Sequence, residues 1–224
     1  MKRRTVDTAM LNSLVNRILS VVLCAGYLVP CTAQEKNFVP VADPAGFKTE
    51  FKSASSLVMS VESRFTQEKT LIALTETMTS SGRFWFKRDV GVRLEYMEPF
   101  NYLMIMKGDE LMVRDNQRES RINMRSSKLF QQVNRVMVDC IQGSILESKD
   151  FTAKALENEG TYRVELTPQT KTLREFFELI ILSVDKTDHT AKMIEMREPT
   201  GDKTVISFDN KKVNKGISDA VFSL

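Results

Sequence analysis

The chain has one histidine and three cysteines among 224 residues, and its nine glycines never cluster. Each shortage excludes something. His189 sits alone in the polar turn Lys186-Thr187-Asp188-His189, where a solvated side chain accounts for it without a general base. Cys140 falls on an apolar helical stripe, which fits a buried structural thiol rather than a nucleophile paired with that histidine. No HExxH or CxxC motif and no close carboxylate cluster offers a metal site, and the scattered glycines form no phosphate-cradling loop. Charge of one sign is also missing: once the first 33 residues are set aside, 28 basic and 28 acidic residues remain. A nucleic-acid binder needs a clustered positive excess to displace counterions, so no nucleic-acid partner is expected. What remains points to binding rather than turnover. No catalytic residue and no cofactor is expected, and the chain reads as a non-enzyme.

Long hydrophobic runs are absent as well. The apolar segment from Ile18 to Val29 is shorter than the roughly 20 residues a membrane helix requires. It follows Lys2, Arg3, Arg4 and Arg17 and precedes Cys31-Thr32-Ala33, the small-x-small pattern read by a signal peptidase. Residues 1–33 therefore read as a secretory signal, 34–42 as a polar leader and 43–224 as a single domain. Cys31 as an acylated lipoprotein cysteine is the rival reading, and Pro30 before it is a poor match to the small residue expected there. Two of the three cysteines leave with the signal, so an exported domain holding Cys140 alone must be stabilised by its hydrophobic core.

What is there in quantity is periodic apolar sequence. Asp43-Pro44 offers an N-cap followed by proline at the first helical position, and Phe47, Phe51, Ala54, Leu57 and Val58 recur at helical spacing to about residue 58. From Ser60 the period becomes two: Val61, Ser63, Phe65 and Gln67 lie on one side, Glu62, Arg64, Thr66 and Glu68 on the other. Phe84 and Phe86 separate in the same way from Arg83, Trp85 and Lys87, and Val92, Leu94 and Tyr96 from Arg93 and Glu95. Turn signals at 79–81, 98–101, 107–110, 115–117, 158–160, 186–189 and 200–202 join these strands closely enough to require hairpins. Between the two groups of strands, Leu129, Phe130, Val133, Val136, Met137, Cys140 and Ile141 form an apolar helical stripe, and TLREFF at 172–177 predicts a shorter helical turn. The fold class this implies is α+β, mainly antiparallel β: a strongly curved incomplete barrel with two or three amphipathic helices covering its concave apolar side.

Methionine and phenylalanine are abundant in these elements, including Met97, Met104, Met106, Met112 and Met124. Unbranched, polarisable methionine suits an irregular or changing apolar surface, and it equally fills an ordinary core. Periodicity leaves both readings open.

The motifs FTQ at 65–67, SGRFWFKR at 81–88, LEYMEP ending at Pro99, a hydrophobic strand running into Lys107-Gly108-Asp109, and the C-terminal FDNKKVNKGISDAVF occur in that order. Together they resemble the LolA family of periplasmic lipoprotein carriers. The resemblance implies an incomplete antiparallel barrel with a helical lid over an apolar cavity, in the periplasm of a Gram-negative bacterium. It further implies a monomer whose partners are acylated lipoprotein cargo, an inner-membrane release complex and an outer-membrane acceptor. By the same resemblance the cavity would be lined by Phe65, Phe84, Phe86, Val92, Leu94, Tyr96, Met104, Met106, Val133 and Met137. Arg88 would hold the lid closed through hydrogen bonds to lid backbone, a task suited to its several fixed donors. Asp89 stands where the family usually has proline, next to the residue whose contact it could weaken. A non-catalytic sensor or scaffold domain on the same half-barrel, binding a protein partner, is the alternative reading.

Overall fold

A computed structural model describes residues 38–115, 118–126, 135–136, 138–140 and 144–223. Its frame is an open antiparallel sheet. The strands are β1 (Val39–Pro40), β2 (Ser60–Leu71), β3 (Glu76–Lys87), β4 (Gly91–Glu98), β5 (Tyr102–Lys107) and β6 (Glu110–Asp115). They continue with β7 (Arg118–Asn123), β8 (Phe151–Glu157), β9 (Thr161–Pro168), β10 (Leu179–Asp185), β11 (Ala191–Arg197) and β12 (Lys203–Val213). The order across the sheet is β1-β8-β9-β10-β11-β12-β2-β3-β4-β5-β6-β7. Two hairpin meanders are thus joined where β12 pairs with β2, as the spacing of turn signals predicts. Part of the polar leader departs from expectation, because Val39 and Pro40 add a short edge strand opposite Glu157 and Leu156. Two residues carry too little periodicity to reveal a strand.

Helix α1 (Pro44–Ser56) begins as its sequence dictates, with the Asp43 carboxylate accepting from the N–H groups of Ala45 and Gly46 and proline in the first turn. Phe47 and Phe51 are its buried aromatic positions, one turn apart. They pack against Val164, Leu166, Ile180 and Leu182 of β9 and β10, with Phe47 also 4.8 Å from the Tyr162 ring. The short helix α2 (Lys171–Arg174), capped by Thr170, adds Leu173 to the same core. Val136 and Cys140 from the helical stretches at 135–136 and 138–140 join it. Burial pushes the Cys140 thiol up to about 12, so it stays protonated and inert at neutral pH.

The outer face needs a correction. Trp85 alternates with Phe84 and Phe86 and was expected on a polar side with Arg83 and Lys87, yet it is buried. The C-terminal segment after β12 runs over that face and places Ile217 and Phe222 on Trp85, Leu103, Ile105 and Met112. Arg83 and Arg93 stack over the indole at 4.6 and 5.4 Å, and Arg93 donates to the Val221 carbonyl at 3.0 Å. The outer face of strands β3 to β5 is therefore covered by the C-terminal segment, which a strict period of two conceals.

Candidate functional site

Register places the eight predicted site residues of β2 to β5 on one face. Val61, Phe86, Val92, Met106 and Leu111 form one row across β2 to β6, and Ser63, Phe84, Leu94, Met104 and Val113 form the next. Phe65, Gly82, Tyr96 and Tyr102 form a third. These rows are not equivalent. The third is filled: Tyr96 meets Phe65 edge-on at 4.9 Å and Tyr102 at 5.8 Å, and its hydroxyl donates to Gln67 at 2.9 Å. Gly82 permits this closeness, since a Cβ there would lie 2.9 Å from the Phe65 ring and 2.0 Å from the Glu95 carbonyl oxygen. Burial raises the pKa of the Tyr96 phenol and pushes that of Tyr102 up to about 12, so both phenols stay neutral at pH 7.

Three members of the first row, Phe86, Val92 and Met106, border open space although each side chain is itself nearly buried. Beside the β3–β4 and β5–β6 turns lies a cavity of about 680 Å³, within the range typical of small-ligand sites. Phe86, Val90, Val92, Met106, Met124 and Val138 supply its apolar lining, and Lys87, Asp89, Asp109, Arg125, Arg135 and Asp139 its polar one. Of the predicted set, Phe86, Val92 and Met106 line this cavity. Phe84 borders a second, far smaller void with Val61 and Phe208. Leu94, Phe65, Tyr96 and Met104 share the face without lining either space. Val133 and Met137 lie outside the described residues. Val138, Arg135 and Asp139 were not singled out, because the apolar stripe of their segment draws the eye to a different helical face. Asp139 accepts from Ser144 at 2.8 Å, and burial raises its pKa more than that bond lowers it. Arg125 and Asp109 form an ion pair in the polar lining.

Arg88 occupies the turn after β3, between the cavity-lining Lys87 and Asp89. Its Nε donates to the Val58 carbonyl at 3.0 Å, its Nη2 to the Ser55 carbonyl at 2.8 Å, and its backbone N–H to the Met59 carbonyl at 2.9 Å. Ser55 lies in the last turn of α1 and Val58 just beyond it, where a helix C-terminus favours a cation. Asp89 is exposed and adopts a left-handed φ of 59°, a conformation that proline cannot take.

No helix among the described residues is long and apolar enough to cross a membrane. No group of histidine, cysteine, aspartate and glutamate among them could hold a metal ion. The arrangement offers a cavity with a mixed apolar and charged lining, and a helix end tethered to the turn beside it.

The profile of the family described as outer membrane lipoprotein carrier protein LolA matches residues 56–224. An outer-membrane lipoprotein carrier protein of Xanthomonas oryzae pv. oryzae is 30% identical over 144 residues, which cover 64% of this chain and 66% of the relative. A protein of the same description from Xanthomonas campestris pv. campestris is 27% identical over 80% of this chain and 83% of its own length. Among solved structures, a LolA superfamily protein of Nitrosomonas europaea is similar at 14% identity and a TM-score of 0.41, covering 79% of this chain and 97% of that one. The MucA/MucB complex of Pseudomonas aeruginosa gives 9% identity and a TM-score of 0.48, covering 80% of this chain and 60% of the solved one.

Proposed function

Because the chain belongs to the LolA family of outer membrane lipoprotein carrier proteins, we propose that it is a periplasmic carrier that shelters the acyl chains of lipoproteins and moves them from the inner toward the outer membrane. The observation that carries this reading is the cavity of about 680 Å³ lined by Phe86, Val92, Met106, Met124 and Val138. Burying an acyl chain is worth about 0.8 kcal/mol per methylene, so even partial enclosure makes an insoluble cargo portable. Methionine lets the wall adapt to chains that enter and leave. The charged side chains of the lining suit the polar part of a cargo that remains outside. Carriage of this kind requires no bond making or breaking, and the chain acts without catalysis.

In this reading α1, whose Phe47 and Phe51 pack on β9 and β10 rather than on the cavity wall, is the lid, and Arg88, in the turn beside the cavity, is its latch. The latch favours the closed, empty state, so an arriving lipoprotein displaces it and a departing one is followed by its return. Arg88→Leu should therefore still accept cargo but release it on the order of tenfold more slowly, as expected from losing charge-assisted hydrogen bonds. The test loads full-length protein with a fluorescent dipalmitoylated lipopeptide and follows its transfer to acceptor liposomes. Binding no stronger than that of the unacylated peptide would overturn the carrier reading. It would leave the scaffold alternative in its place.

A further inference from the structure

We infer that Asn214 is a second lid-positioning residue, clasping the α1–β2 junction from β12 as Arg88 does from β3. The inference rests on reading α1 as the lid of an acyl-chain site. Strand β2 lies between β12 and β3, so the residues just past the ends of those strands flank the junction on its two sides. Both extend their ladders: the Arg88 N–H donates to the Met59 carbonyl, and the Asn214 N–H to the Ser60 carbonyl at 2.8 Å.

The side chains then divide the junction's backbone between them. Arg88 takes the carbonyls of Ser55 and Val58. The Asn214 Nδ2 donates to the Leu57 carbonyl at 2.9 Å, and its Oδ1 accepts from the N–H of Met59 at 2.7 Å and more weakly from that of Ser60 at 3.4 Å. An amide can donate and accept at once, which arginine cannot, and the groups left over by Arg88 include both kinds. Asn214 sits at a φ of 56°, a left-handed conformation that asparagine tolerates better than most residues.

Beyond Asn214 the chain is anchored to the outer face. Ser60 Oγ donates to the Lys215 carbonyl at 2.6 Å, Lys87 Nζ to the Ile217 carbonyl at 2.7 Å, and Ile217 and Phe222 are buried against Trp85 and Ile105. The end of α1 is thereby fixed to a segment on the opposite side of the sheet from the cavity. Opening the lid must break or carry along the Asn214 contacts as well as those of Arg88.

Hydrogen–deuterium exchange on the full, unloaded chain tests this independently of cargo. Asn214→Gly keeps the left-handed backbone accessible and removes the amide, whereas Asn214→Asp keeps the acceptor and loses the Nδ2 donor. Exchange across Phe47–Ser56 in Asn214→Gly should rise on the order of tenfold, in the pattern given by Arg88→Leu, with β9 and β10 unchanged and Asn214→Asp in between. Transfer of a preloaded dipalmitoylated lipopeptide should slow severalfold. Parent-like exchange in α1, or an equal rise throughout the sheet, would overturn the clasp. If Asn214→Gly fails to fold, the Asn214→Asp profile decides the same question. A parent protein that holds no lipopeptide would sink the carrier reading while the exchange data still settle the role of Asn214.

Discussion

Val164, Leu166, Ile180, Leu182 and Val184 lie on the same face of the same sheet as Phe86, Val92 and Met106, yet the two sets meet different surroundings. The first packs against Phe47, Phe51 and Leu173, while the second borders the cavity. Residue type differs in part: the first set is wholly branched aliphatic, whereas the second adds Phe86 and Met106 to Val92. Branched aliphatics have few rotamers and specify one packing, whereas methionine and phenylalanine walls tolerate changes in what they touch. The first set can thus supply stability while the second, though its side chains are nearly buried, borders open space, because local stability need not be uniform.

The largest effect should come from a charge placed in each half. Leu182 is fully buried, and Leu182→Asp would leave a carboxylate there without a partner, costing several kcal/mol against a total margin of about 5–15 kcal/mol. Circular dichroism should show loss of the cooperative fold. Met106→Asp puts the same group at a cavity wall, where it can be hydrated or take up a proton, so the fold should survive with loss of lipopeptide binding. If both variants unfold, the hollow half is a core like the other and the comparison fails.

Truncation gives a smaller and more graded contrast. Leu182→Ala should cost about 2–5 kcal/mol in chemical unfolding, since it opens a new hole among neighbours held by the sheet. Met106→Ala enlarges a space that already exists and should cost about 2 kcal/mol, the low end of the same range, while weakening lipopeptide binding. Equal losses at the two positions would mean that the cavity wall is as tightly constrained as the packed half.

The faces of these strands were legible in the sequence, and the division into a packed half and a cavity half was not, for a physical reason. The alternation through Phe84, Phe86, Val92, Leu94 and Tyr96 fixed which residues share a face, and Asp43-Pro44 marked the start of α1. Periodicity reports direction, however, and says nothing about distance to the next layer. Leu94 and Val92 are equivalent in the pattern, and only Val92 reaches the cavity. Trp85 was misplaced because its cover comes from a segment more than 130 residues later, with no period of its own. The contacts of Asn214 were hidden for the same reason, since they depend on which strands flank β2.

The smallest effect concerns a charge that the inner face already holds. Lys69 lies on β2, opposite Thr204 and Met78, toward the end away from the cavity. Its side chain is 4% exposed, with Nζ 3.7 Å from the Glu198 carboxylate. Burial lowers the pKa of Lys69 from 10.5, and attraction to Glu198 and Asp202 offsets that in part. Burial likewise raises that of Glu198. Between the lowered folded value and 10.5 the unfolded chain binds more protons at Lys69 than the folded one, so this residue makes stability rise with pH across that window. Below the window the full cost of the buried cation stands. Lys69→Met removes the contribution and leaves the other alkaline groups in place. Urea unfolding at a series of pH values from about 7 to 10.5 should therefore show the parent gaining on Lys69→Met as pH climbs. Parallel curves would mean that this end of the inner face is hydrated, and that the hollow region extends further from the cavity than the packing of Phe65, Tyr96 and Tyr102 implies.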